Sequence, residues 1–308
     1  MNKIRMGMVG GGKNAFIGAV HRSAAALDSQ IQLVCGAFSS THENSLQTGS
    51  DLDLDTSRCY ATYQEMFQKE AALPADERMQ FVSIVTPNHL HYPVAKAAIE
   101  AGFHVLSDKP ATFDLNEAKQ LQTLLSSHDV LYGITNTYTG YPLVREARSR
   151  VNAGELGEVV KVVVEYSQGW LSEVPGADNK QALWRLDPKQ AGASCCIGDI
   201  GVHAASLAEF ISGLFITKLS ADLEPVVEGR ELDDDGSVLL RFSNGAKGVL
   251  MASQISVGEE NNLNIRIYGT KAGLEWHQQD PNTLLIKYND KPAQLIRTGV
   301  GEFSASAA

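Results

Sequence analysis

The fold of the chain's first half is decided by the stretch IRMGMVGGGKNA, residues 4–15. Its first six residues form a short, mostly apolar run, and the three glycines that follow are typical of a tight turn at the end of a strand. Residues 15–27 then carry helix-forming side chains. Within the turn, Gly10-x-Gly12-x-x-Ala15 fits the dinucleotide-binding fingerprint, in which glycines allow a sharp turn and a close approach to a pyrophosphate. We therefore expect NAD or NADP to bind here. The expected contacts are Gly10, Gly12, Lys13, Asn14 and Ala15.

The alternation of strand and helix continues through this half of the chain. Short buried-type strands are predicted at 31–38, 81–85, 103–107 and 130–135, and helices at 64–70, 92–101 and 115–128. This order is typical of a doubly wound parallel sheet. We predict a Rossmann domain over residues 1–136.

Two loops at the ends of strands bear on the cofactor. Ser39 and Ser40 follow the second strand, where an acidic residue would bind the adenosine ribose and favour NAD. Their hydroxyls suit a 2′-phosphate, but no arginine adjoins them, so NAD and NADP both stay open, and a simple serine turn is an equal alternative. Thr86, Pro87 and Asn88 follow the strand at 81–85, at the sheet edge where ligands bind in such folds.

Three further polar residues lie close to these loops. Lys109, between Asp108 and Pro110, is placed at the mouth of the sheet, where an ammonium group can stabilise a developing negative charge on a substrate oxygen. The alternative is a surface ion pair with Asp108. His89 and His91 lack a third ligand at metal-binding spacing, so we expect them to serve in a loop and a helix start. No metal site is predicted.

After Asn136 the pattern changes. A helix at 142–153 and a strand at 158–166 precede an irregular segment at 168–192, and further strands are predicted at 219–223, 236–242, 248–256, 263–268, 274–276 and 284–288. We predict an α+β domain over residues 137–308 with a large, mainly antiparallel sheet whose outer face is a candidate subunit interface. The irregular segment suits the roof of a pocket, with Trp170 and Trp184 against an apolar ring face and Arg185 reaching oxygens. Core packing explains both tryptophans equally well. Tyr138 also lies in a segment expected to shape the pocket.

The stretch GDIGVH, residues 198–203, sets a carboxylate and an imidazole four residues apart. On a helix, Asp199 and His203 would share one face and could address one substrate. A neutral histidine accepts a proton near pH 7, and an adjacent carboxylate can fix its tautomer. On this stretch alone, an N-capping Asp199 and a packed His203 are the simpler interpretation.

Composition excludes several classes of protein. The formal net charge is −10, and no basic cluster suits nucleic acid. No apolar run reaches the roughly 18 residues that a membrane span needs. Cys35, Cys59, Cys195 and Cys196 lack metal-ligand spacing and are expected to be reduced and buried. The N-terminus enters the glycine cluster without a signal-peptide core, so a cytoplasmic location is the default expectation.

Taken together, the motifs resemble the Gfo/Idh/MocA family of glucose–fructose oxidoreductases and inositol dehydrogenases. The resemblance runs from Met6 to about Trp276. Its matching pieces are the fingerprint at 10–15, TPNHLH at 86–91, DKP at 108–110, GDIGVH at 198–203 and YGTKAGLEW at 268–276. Order and spacing make the set specific.

The resemblance implies NAD(P)-dependent redox chemistry on sugars and cyclitols, in a homodimer or homotetramer assembled through the C-terminal sheet. It implies that Lys109 contacts substrate and nicotinamide, that Asp199 orients the substrate, and that His203 is the general acid/base. We also expect His91 and Asp108 among the cofactor-binding residues. Asp108 departs from the family's usual glutamate, and the chain is expected to stop short of a further helix found in many relatives.

These residues lead to one main hypothesis, the reversible oxidation of a secondary alcohol on a sugar or inositol-like polyol. His203 takes the hydroxyl proton, Lys109 stabilises the alkoxide and Asp199 holds the substrate. A second hypothesis is an NAD-dependent glycosidase that oxidises its substrate transiently. A third is an NAD(P)-binding regulatory protein without turnover, against which the retained Lys109, Asp199 and His203 argue.

Overall fold

The computed structural model describes residues 3–13, 15–176 and 178–304. Asn14, one of the predicted cofactor contacts, lies outside the described residues. The chain divides into two units, residues 1–135 and 136–308. Each unit has its own sheet and its own buried apolar core.

The first unit is built on a parallel sheet of five strands in the order β2-β1-β3-β4-β5. Its strands are β1 (Ile4–Gly10), β2 (Ile31–Ala37), β3 (Phe81–Val85), β4 (His104–Ser107) and β5 (Tyr132–Ile134). Its helices are α1 (Phe16–Ala26), α2 (His42–Asp51), α3 (Tyr63–Ala71), α4 (His91–Glu100) and α5 (Leu115–Ser126). The predicted doubly wound parallel sheet is confirmed.

The strand order explains where a ligand can bind. Cys59 forms a single parallel bridge to Gly36 on the free side of β2. If this bridge is counted as a short strand, the order becomes that of a Rossmann fold, whose strand order reverses between β1 and β3. Gly10 and Val85 pair at the carboxyl ends of those two strands. The fingerprint turn and the Thr86-Pro87-Asn88 loop therefore lie side by side at the crevice of the sheet.

Helix α2 escaped prediction from the sequence because its buried face is small and polar. The residues that it buries are Ser45, Thr48 and Gly49, which give no apolar stripe of helical period. The Ser45 hydroxyl instead accepts a hydrogen bond from Phe38 N (3.0 Å) and donates to Tyr60 O (2.9 Å). This helix is held to β2 through hydrogen bonds that hydrophobic periodicity does not detect.

A buried carboxylate joins α3 to the loops around it. Glu70 accepts hydrogen bonds from Arg58 Nη2 (2.6 Å), Tyr60 Oη (2.9 Å) and Met79 N (2.9 Å). Burial alone would raise the pKa of the Glu70 carboxyl, but these hydrogen bonds and the nearby guanidinium lower it below its usual value. Glu70 is therefore held as an anion whose ionisation favours the folded state.

Replacing this carboxylate tests the arrangement. A group whose pKa is lower in the folded than in the unfolded chain stabilises the fold at pH values above the unfolded pKa, and that contribution disappears as the pH falls through the folded pKa. Glu70→Gln is expected to lower the free energy of unfolding at pH 7 by about 2–3 kcal/mol. In urea unfolding, the difference from the wild type should shrink below about pH 4. Glu100→Gln, at an exposed pair with Lys96, is the matched control. A difference that stays constant down to pH 3 would contradict the assignment.

The second unit has a sheet of eight strands in the order β13-β12-β11-β10-β6-β9-β8-β7. Its strands are β6 (Val159–Ser167), β7 (Ile216–Glu224), β8 (Asp235–Phe242), β9 (Lys247–Ser253), β10 (Asn262–Gly269), β11 (Ala272–His277), β12 (Thr283–Tyr288) and β13 (Gln294–Arg297). Its helices are α6 (Pro142–Asn152), α7 (Lys180–Arg185), α8 (Pro188–Ala191) and α9 (Val202–Ser212).

Neighbouring strands in this sheet run antiparallel except for β6 and β9, which are parallel. Helices α6 and α9 pack on one face of the sheet and bury an apolar core there. The predicted mainly antiparallel sheet is confirmed. Strand β13 was not predicted, because its short, half-polar run lacks a clear alternation. The segment at 168–192, predicted to be irregular, contains the short helices α7 and α8.

No helix in the part of the chain that the structure describes is both long enough and apolar enough to cross a membrane.

Candidate functional site

The fingerprint turn is shaped for glycine at two of its predicted positions. Gly10 has a φ of +83°, and a Cβ placed there would lie 2.6 Å from the carbonyl oxygen of Val85. Gly12 keeps an ordinary φ, but a Cβ would lie 2.7 Å from the carbonyl oxygen of Phe38. Because both clashes are with backbone atoms, a side chain would have to push the ends of β2 or β3 away.

The turn also contains a close contact that the sequence analysis missed. A Cβ on Gly11 would lie 2.9 Å from the Cα of Gly18, and a Cβ on Gly18 would lie 2.4 Å from the Cα of Gly11. Helix α1 thus packs directly on the turn, and Arg22 Nη1 donates to Gly11 O at 2.8 Å. Gly18 lies three residues beyond the fingerprint, so a wider search for glycines facing the turn would have found it.

The N-terminus of α1 and the loop after β3 offer hydrogen-bonding groups that suit a dinucleotide. The first N–H groups of a helix have no partner within the helix, and Ala15 at the N-cap has no side chain that could accept from them. Such an N-terminus attracts phosphate. Nearby, Thr86 Oγ1 is buried with no hydrogen-bond partner among the described residues. An unsatisfied buried hydroxyl is costly, and a ligand group can supply the missing partner. The residues present therefore fit a bound NAD(P).

A pair of glycine substitutions separates backbone strain from loss of the cofactor turn. Gly10→Ala forces alanine to a positive φ and also creates the contact with Val85. Gly102→Ala also forces a positive φ, +81°, but nothing lies within 4 Å of the added Cβ. We expect Gly102→Ala to cost about 1–2 kcal/mol in unfolding free energy. Gly10→Ala should cost more and also weaken binding of NAD⁺ or NADP⁺ at least about tenfold.

Urea unfolding and calorimetric titration of both variants check this expectation. Equal losses of stability and unchanged dinucleotide affinity in both variants would contradict the role given to Gly10.

The remaining cofactor contacts predicted in the first unit fall into two groups. Lys13 N donates to Thr48 Oγ1 at 3.3 Å, which holds the turn against α2. Ser39 Oγ accepts from Thr41 N at 3.4 Å, and Ser40 is exposed. This geometry is that of a serine turn, and an exposed hydroxyl is also compatible with ribose contact, so the two interpretations of these serines both stand.

His91 connects two loops and does not offer a nitrogen to a ligand. Its Nδ1 lies 2.6 Å from Pro110 O and its Nε2 lies 2.8 Å from Thr86 O. The ring is 1% exposed. Burial lowers the pKa of His91, although the two carbonyl oxygens oppose this effect. The predicted direct cofactor contact of His91 is therefore replaced by a positioning role, because both ring nitrogens face backbone carbonyls. His89 lies in a 3₁₀ turn just before α4, as expected for loop and helix-start residues.

Asp108 supports the backbone of the loop that carries Lys109. Its Oδ1 accepts hydrogen bonds from Lys109 N and from Thr135 Oγ1, each at 2.9 Å. The Lys109–Pro110 peptide bond is cis. The half-buried Lys109 side chain follows β4, one strand beyond the crevice.

In the second unit, Asp199 lies inside a π-helical turn, Ile197–Gly201, which continues directly into α9. It therefore does not occupy the N-cap position that the simpler interpretation gave it. Single π turns within helices often mark functional sites because they re-aim side chains. A Cβ on Gly201 would lie 2.9 Å from Ile197 Cδ1, so this glycine gives room for the turn.

Other residues cap the start of this helix. Asp233 Oδ1 accepts from Cys195 N at 3.0 Å, and Asp233 Oδ2 accepts from Ile197 N at 2.8 Å. Ser194 Oγ accepts from Gly198 N at 2.8 Å. The helix start is thus satisfied by a carboxylate from the loop before β8, and Asp199 is not needed for capping.

Arg185 and Gln254 both hold the Asp199 carboxylate. Oδ2 accepts hydrogen bonds from Arg185 Nε and from Gln254 Nε2, each at 3.0 Å. The guanidinium of Arg185 lies 4.3 Å from the ring centroid of Trp184 and 5.8 Å from that of Trp170. The structure therefore brings Asp199, Arg185, Trp170 and Trp184 together. Trp184 also packs on a small apolar cluster, whereas Trp170 is 42% exposed. Packing explains Trp184, and Trp170 remains available to a ligand.

His203 lies one turn further along, on α9, and is 8% exposed. Its ring meets that of Tyr138 edge to face, with a centroid distance of 4.9 Å and an angle of 88°. Tyr166 lies 6.4 Å away between centroids. Tyr138, predicted to shape the pocket, is thus a direct neighbour of His203.

Three polar residues of this site were missed: Tyr166, Gln254 and Asn261. Inward-facing residues alternate along β6 (Val162, Val164, Tyr166) and along β9 (Leu250, Ala252), and Gln254 continues the second series. Because β6 and β9 are parallel and β10 is antiparallel to β6, these positions and the start of β10 meet at one end of the sheet. Polar residues at inward positions of an apolar alternation were the available signal.

The cysteines are free and buried, as expected. Burial raises the pKa of Cys195 to about 12, so its thiol stays protonated at neutral pH. In the described ranges, no group of three or more histidine, cysteine or acidic residues is arranged to hold a metal ion.

Comparisons with known proteins agree with this architecture. A family model described as “Oxidoreductase family, NAD-binding Rossmann fold” matches residues 4–136, and “GFO/IDH/MocA C-terminal domain” matches residues 144–275. The uncharacterized oxidoreductase YfiI of Bacillus subtilis is 34% identical over 96% of this chain and 76% of its own length.

Two solved structures are similar over almost the whole chain. An oxidoreductase from Sinorhizobium meliloti is 44% identical, with a TM-score of 0.89, over all of this chain (100%) and 81% of that one. An inositol dehydrogenase homolog from Azotobacter vinelandii, in complex with NAD⁺, is 36% identical, with a TM-score of 0.95, over 99% of this chain and 79% of that one. An inositol dehydrogenase homolog from the same organism has also been solved with NADH and myo-inositol.

Proposed function

This chain belongs to the Gfo/Idh/MocA family of oxidoreductases, and we propose that it moves a hydride between NAD(P) and a secondary alcohol of a sugar or cyclitol. The observation that carries the proposal is the pairing of a held carboxylate with a buried imidazole. Asp199 is fixed by Arg185 and Gln254, and His203 follows it by one helical turn beside Tyr138.

The first unit supplies the cofactor site. Gly10 and Gly12 allow the backbone to approach the pyrophosphate, and the N-terminus of α1 offers N–H groups to it. Thr86 Oγ1, buried without a partner among the described residues, is a donor or acceptor for the bound cofactor. When bound, NAD(P) accepts or supplies the hydride. Pro87 and Asn88 belong to the same loop. The imidazole of His91 holds the carbonyl group of Thr86, and the carboxylate of Asp108 accepts a hydrogen bond from Lys109 N.

His203 is the general acid/base of the proposal. In the direction of alcohol oxidation, its imidazole takes the hydroxyl proton, and in the reverse direction it returns that proton. Asp199 is fixed on one oxygen by Arg185 and Gln254, and its carboxylate orients the substrate. Lys109 stabilises the negative charge that develops on the substrate oxygen.

Sugars and cyclitols suit the side chains near Asp199. The C–H faces of such rings are apolar and can stack on indoles. Their hydroxyl groups can form hydrogen bonds with charged side chains. Trp170, with its exposed ring, and Arg185, whose guanidinium lies close to both indoles, provide both kinds of contact. The inositol dehydrogenase homolog solved with myo-inositol supports this substrate class.

A homodimer or homotetramer is part of the proposal. The helices α6 and α9 cover one face of the eight-stranded sheet. The other face carries exposed apolar residues on two adjacent strands, Leu239 on β8 and Met251 on β9. Such a surface is suited to a symmetric contact between copies.

A panel of sugars and cyclitols, each offered with NAD⁺ and NADP⁺, tests the function. We expect one substrate class to raise the melting temperature and to reduce the cofactor, since a ligand of the native state stabilises it. Product formation without net cofactor reduction would identify a glycosidase that oxidises transiently. Cofactor binding without turnover across the panel would identify a regulatory protein. Either result would overturn the proposed activity.

A further inference from the structure

We propose that Asn261 is a positioning residue that closes a ring of hydrogen bonds with Tyr138 and Tyr166, and that this ring orients the imidazole of His203. The inference deepens the function proposed above and rests on it for the role of His203. Asn261 precedes β10 and lies far from the other members in sequence. The antiparallel pairing of β10 with β6 brings it to Tyr166.

The direction of each hydrogen bond in the ring follows from an indole. Trp170 Nε1 can only donate, and it lies 2.9 Å from Gln168 Oε1. Gln168 therefore turns its amide nitrogen toward Asn261, where Nε2 donates to Asn261 Oδ1 at 2.8 Å. This fixes the Asn261 oxygen as the acceptor and its nitrogen as the donor. Trp170 thus sets the orientation of both amides.

The remaining bonds then close without ambiguity. Asn261 Nδ2 donates to Tyr138 Oη at 3.2 Å, and Tyr166 Oη donates to Asn261 Oδ1 at 2.6 Å. The short bond between the two tyrosine hydroxyls must carry the Tyr138 proton toward Tyr166, because the Tyr166 proton is already directed to Asn261. Each member of the ring donates one bond and accepts one from within it.

Two consequences follow for the chemistry. Each tyrosine hydroxyl has its single proton committed inside the ring, so neither is a donor to a substrate. Burial and the neighbouring Tyr138 also raise the pKa of Tyr166. The two tyrosines therefore do not compete with His203 for proton exchange with a substrate. The ring also fixes the hydroxyl end of Tyr138, whose aromatic ring lies 4.9 Å from the imidazole of His203, centroid to centroid.

The test uses Asn261→Leu, which removes both the donor and the acceptor at similar size. Asn262→Leu is the matched control, since Asn262 is the adjacent residue and bonds to Asn264 at 3.3 Å, outside the ring. Asn261→Asp keeps an acceptor for Tyr166 and Gln168 but removes the donor to Tyr138. It provides a second variant if the leucine variant does not fold.

We expect Asn261→Leu to lower kcat about tenfold to a hundredfold with KM changed less than about threefold, because misplacing a catalytic group acts on the chemical step. Asn261→Asp should fall between that variant and the wild type. Tyr138→Phe opens the same ring, so the double variant Asn261→Leu/Tyr138→Phe should lose little more kcat than Asn261→Leu alone. If kcat of the double variant fell by the product of the factors measured for the two single variants, the inference would be overturned.

A spectroscopic readout makes the result independent of turnover. In protein labelled at its histidine rings, the imidazole resonances of His203, assigned with His203→Gln, report the position of the Tyr138 ring. They should move in Asn261→Leu and Asn261→Asp and stay in place in Asn262→Leu. Unmoved His203 resonances in both Asn261 variants would overturn the inference even if the sugar panel gave no activity. If the His203 resonances moved in both Asn261 variants but no substrate was turned over, the ring would be supported and only the proposed function would be rejected.

Discussion

Replacing His203 with glutamine is expected to lower kcat by about 10²–10⁴-fold while leaving NAD(P) affinity unchanged. A positioned general base contributes in this range because it removes the hydroxyl proton as the hydride leaves. Glutamine keeps the polar volume of the side chain beside Tyr138 but does not accept a proton near neutral pH. The measurement is steady-state turnover of an accepted substrate, together with titration of the cofactor.

His277→Gln is the control for this substitution. His277 lies in the same unit, is exposed and pairs with Glu275 at 2.7 Å, so its loss should leave kcat within about twofold. Turnover of His203→Gln equal to that of the control would remove His203 from the mechanism. Loss of activity accompanied by loss of cofactor affinity would point to misfolding in place of lost proton transfer.

Lys109→Met is expected to lower kcat by about 10²–10³-fold, the cost of removing one group that stabilises developing negative charge. Methionine keeps an unbranched side chain of similar length and removes the ammonium. The loop itself should hold, since Asp108 anchors it by accepting from Lys109 N and from Thr135. Stopped-flow measurement of the chemical step separates this effect from product release.

The matched control is Lys96→Met, on α4, where the ammonium makes an exposed contact of 3.8 Å with Glu100. An exposed pair of this kind contributes little, so kcat should be unchanged. If Lys109→Met raised KM without lowering kcat, Lys109 would bind substrate and transition state equally, and its proposed role in charge stabilisation would be wrong.

The fold was predictable from the sequence where apolar periodicity is strong. Strand β3 begins and ends where the run Phe81–Val85 predicts, because its buried residues are continuous and Thr86-Pro87 stops it. Helix α2 was not predictable, since Ser45 and Thr48 face the core and polar side chains leave no apolar stripe. The bridge between Cys59 and Gly36 involves one residue on each side. It was not predictable, because one residue cannot show an alternation of apolar and polar side chains.

The candidate site was predictable only in part, for a related reason. Asp199 and His203 stand out because carboxylate and imidazole side chains four residues apart are conspicuous in sequence. Other residues around Asp199 and His203 come from β6, from the end of β9 and from the start of β10. Asn261 and Tyr166 are far apart in the sequence, so their hydrogen bond could not be predicted from it. The π turn at Ile197–Gly201 was also hidden, and the carboxylate that accepts from its first N–H, that of Asp233, comes from another loop. Long-range pairing, not local propensity, builds this part of the site.

The most direct test of the central claim follows the hydrogen atom itself. The sugar or cyclitol that reduces the cofactor best in the panel would be prepared with deuterium on the carbon of its reacting alcohol, and the reduced cofactor analysed by mass spectrometry. We predict one deuterium per reduced nicotinamide with the wild type, and the same label at a rate about 10²–10⁴-fold lower with His203→Gln. Reduced cofactor without deuterium, or label returned to the substrate-derived product with no net reduction, would contradict the account.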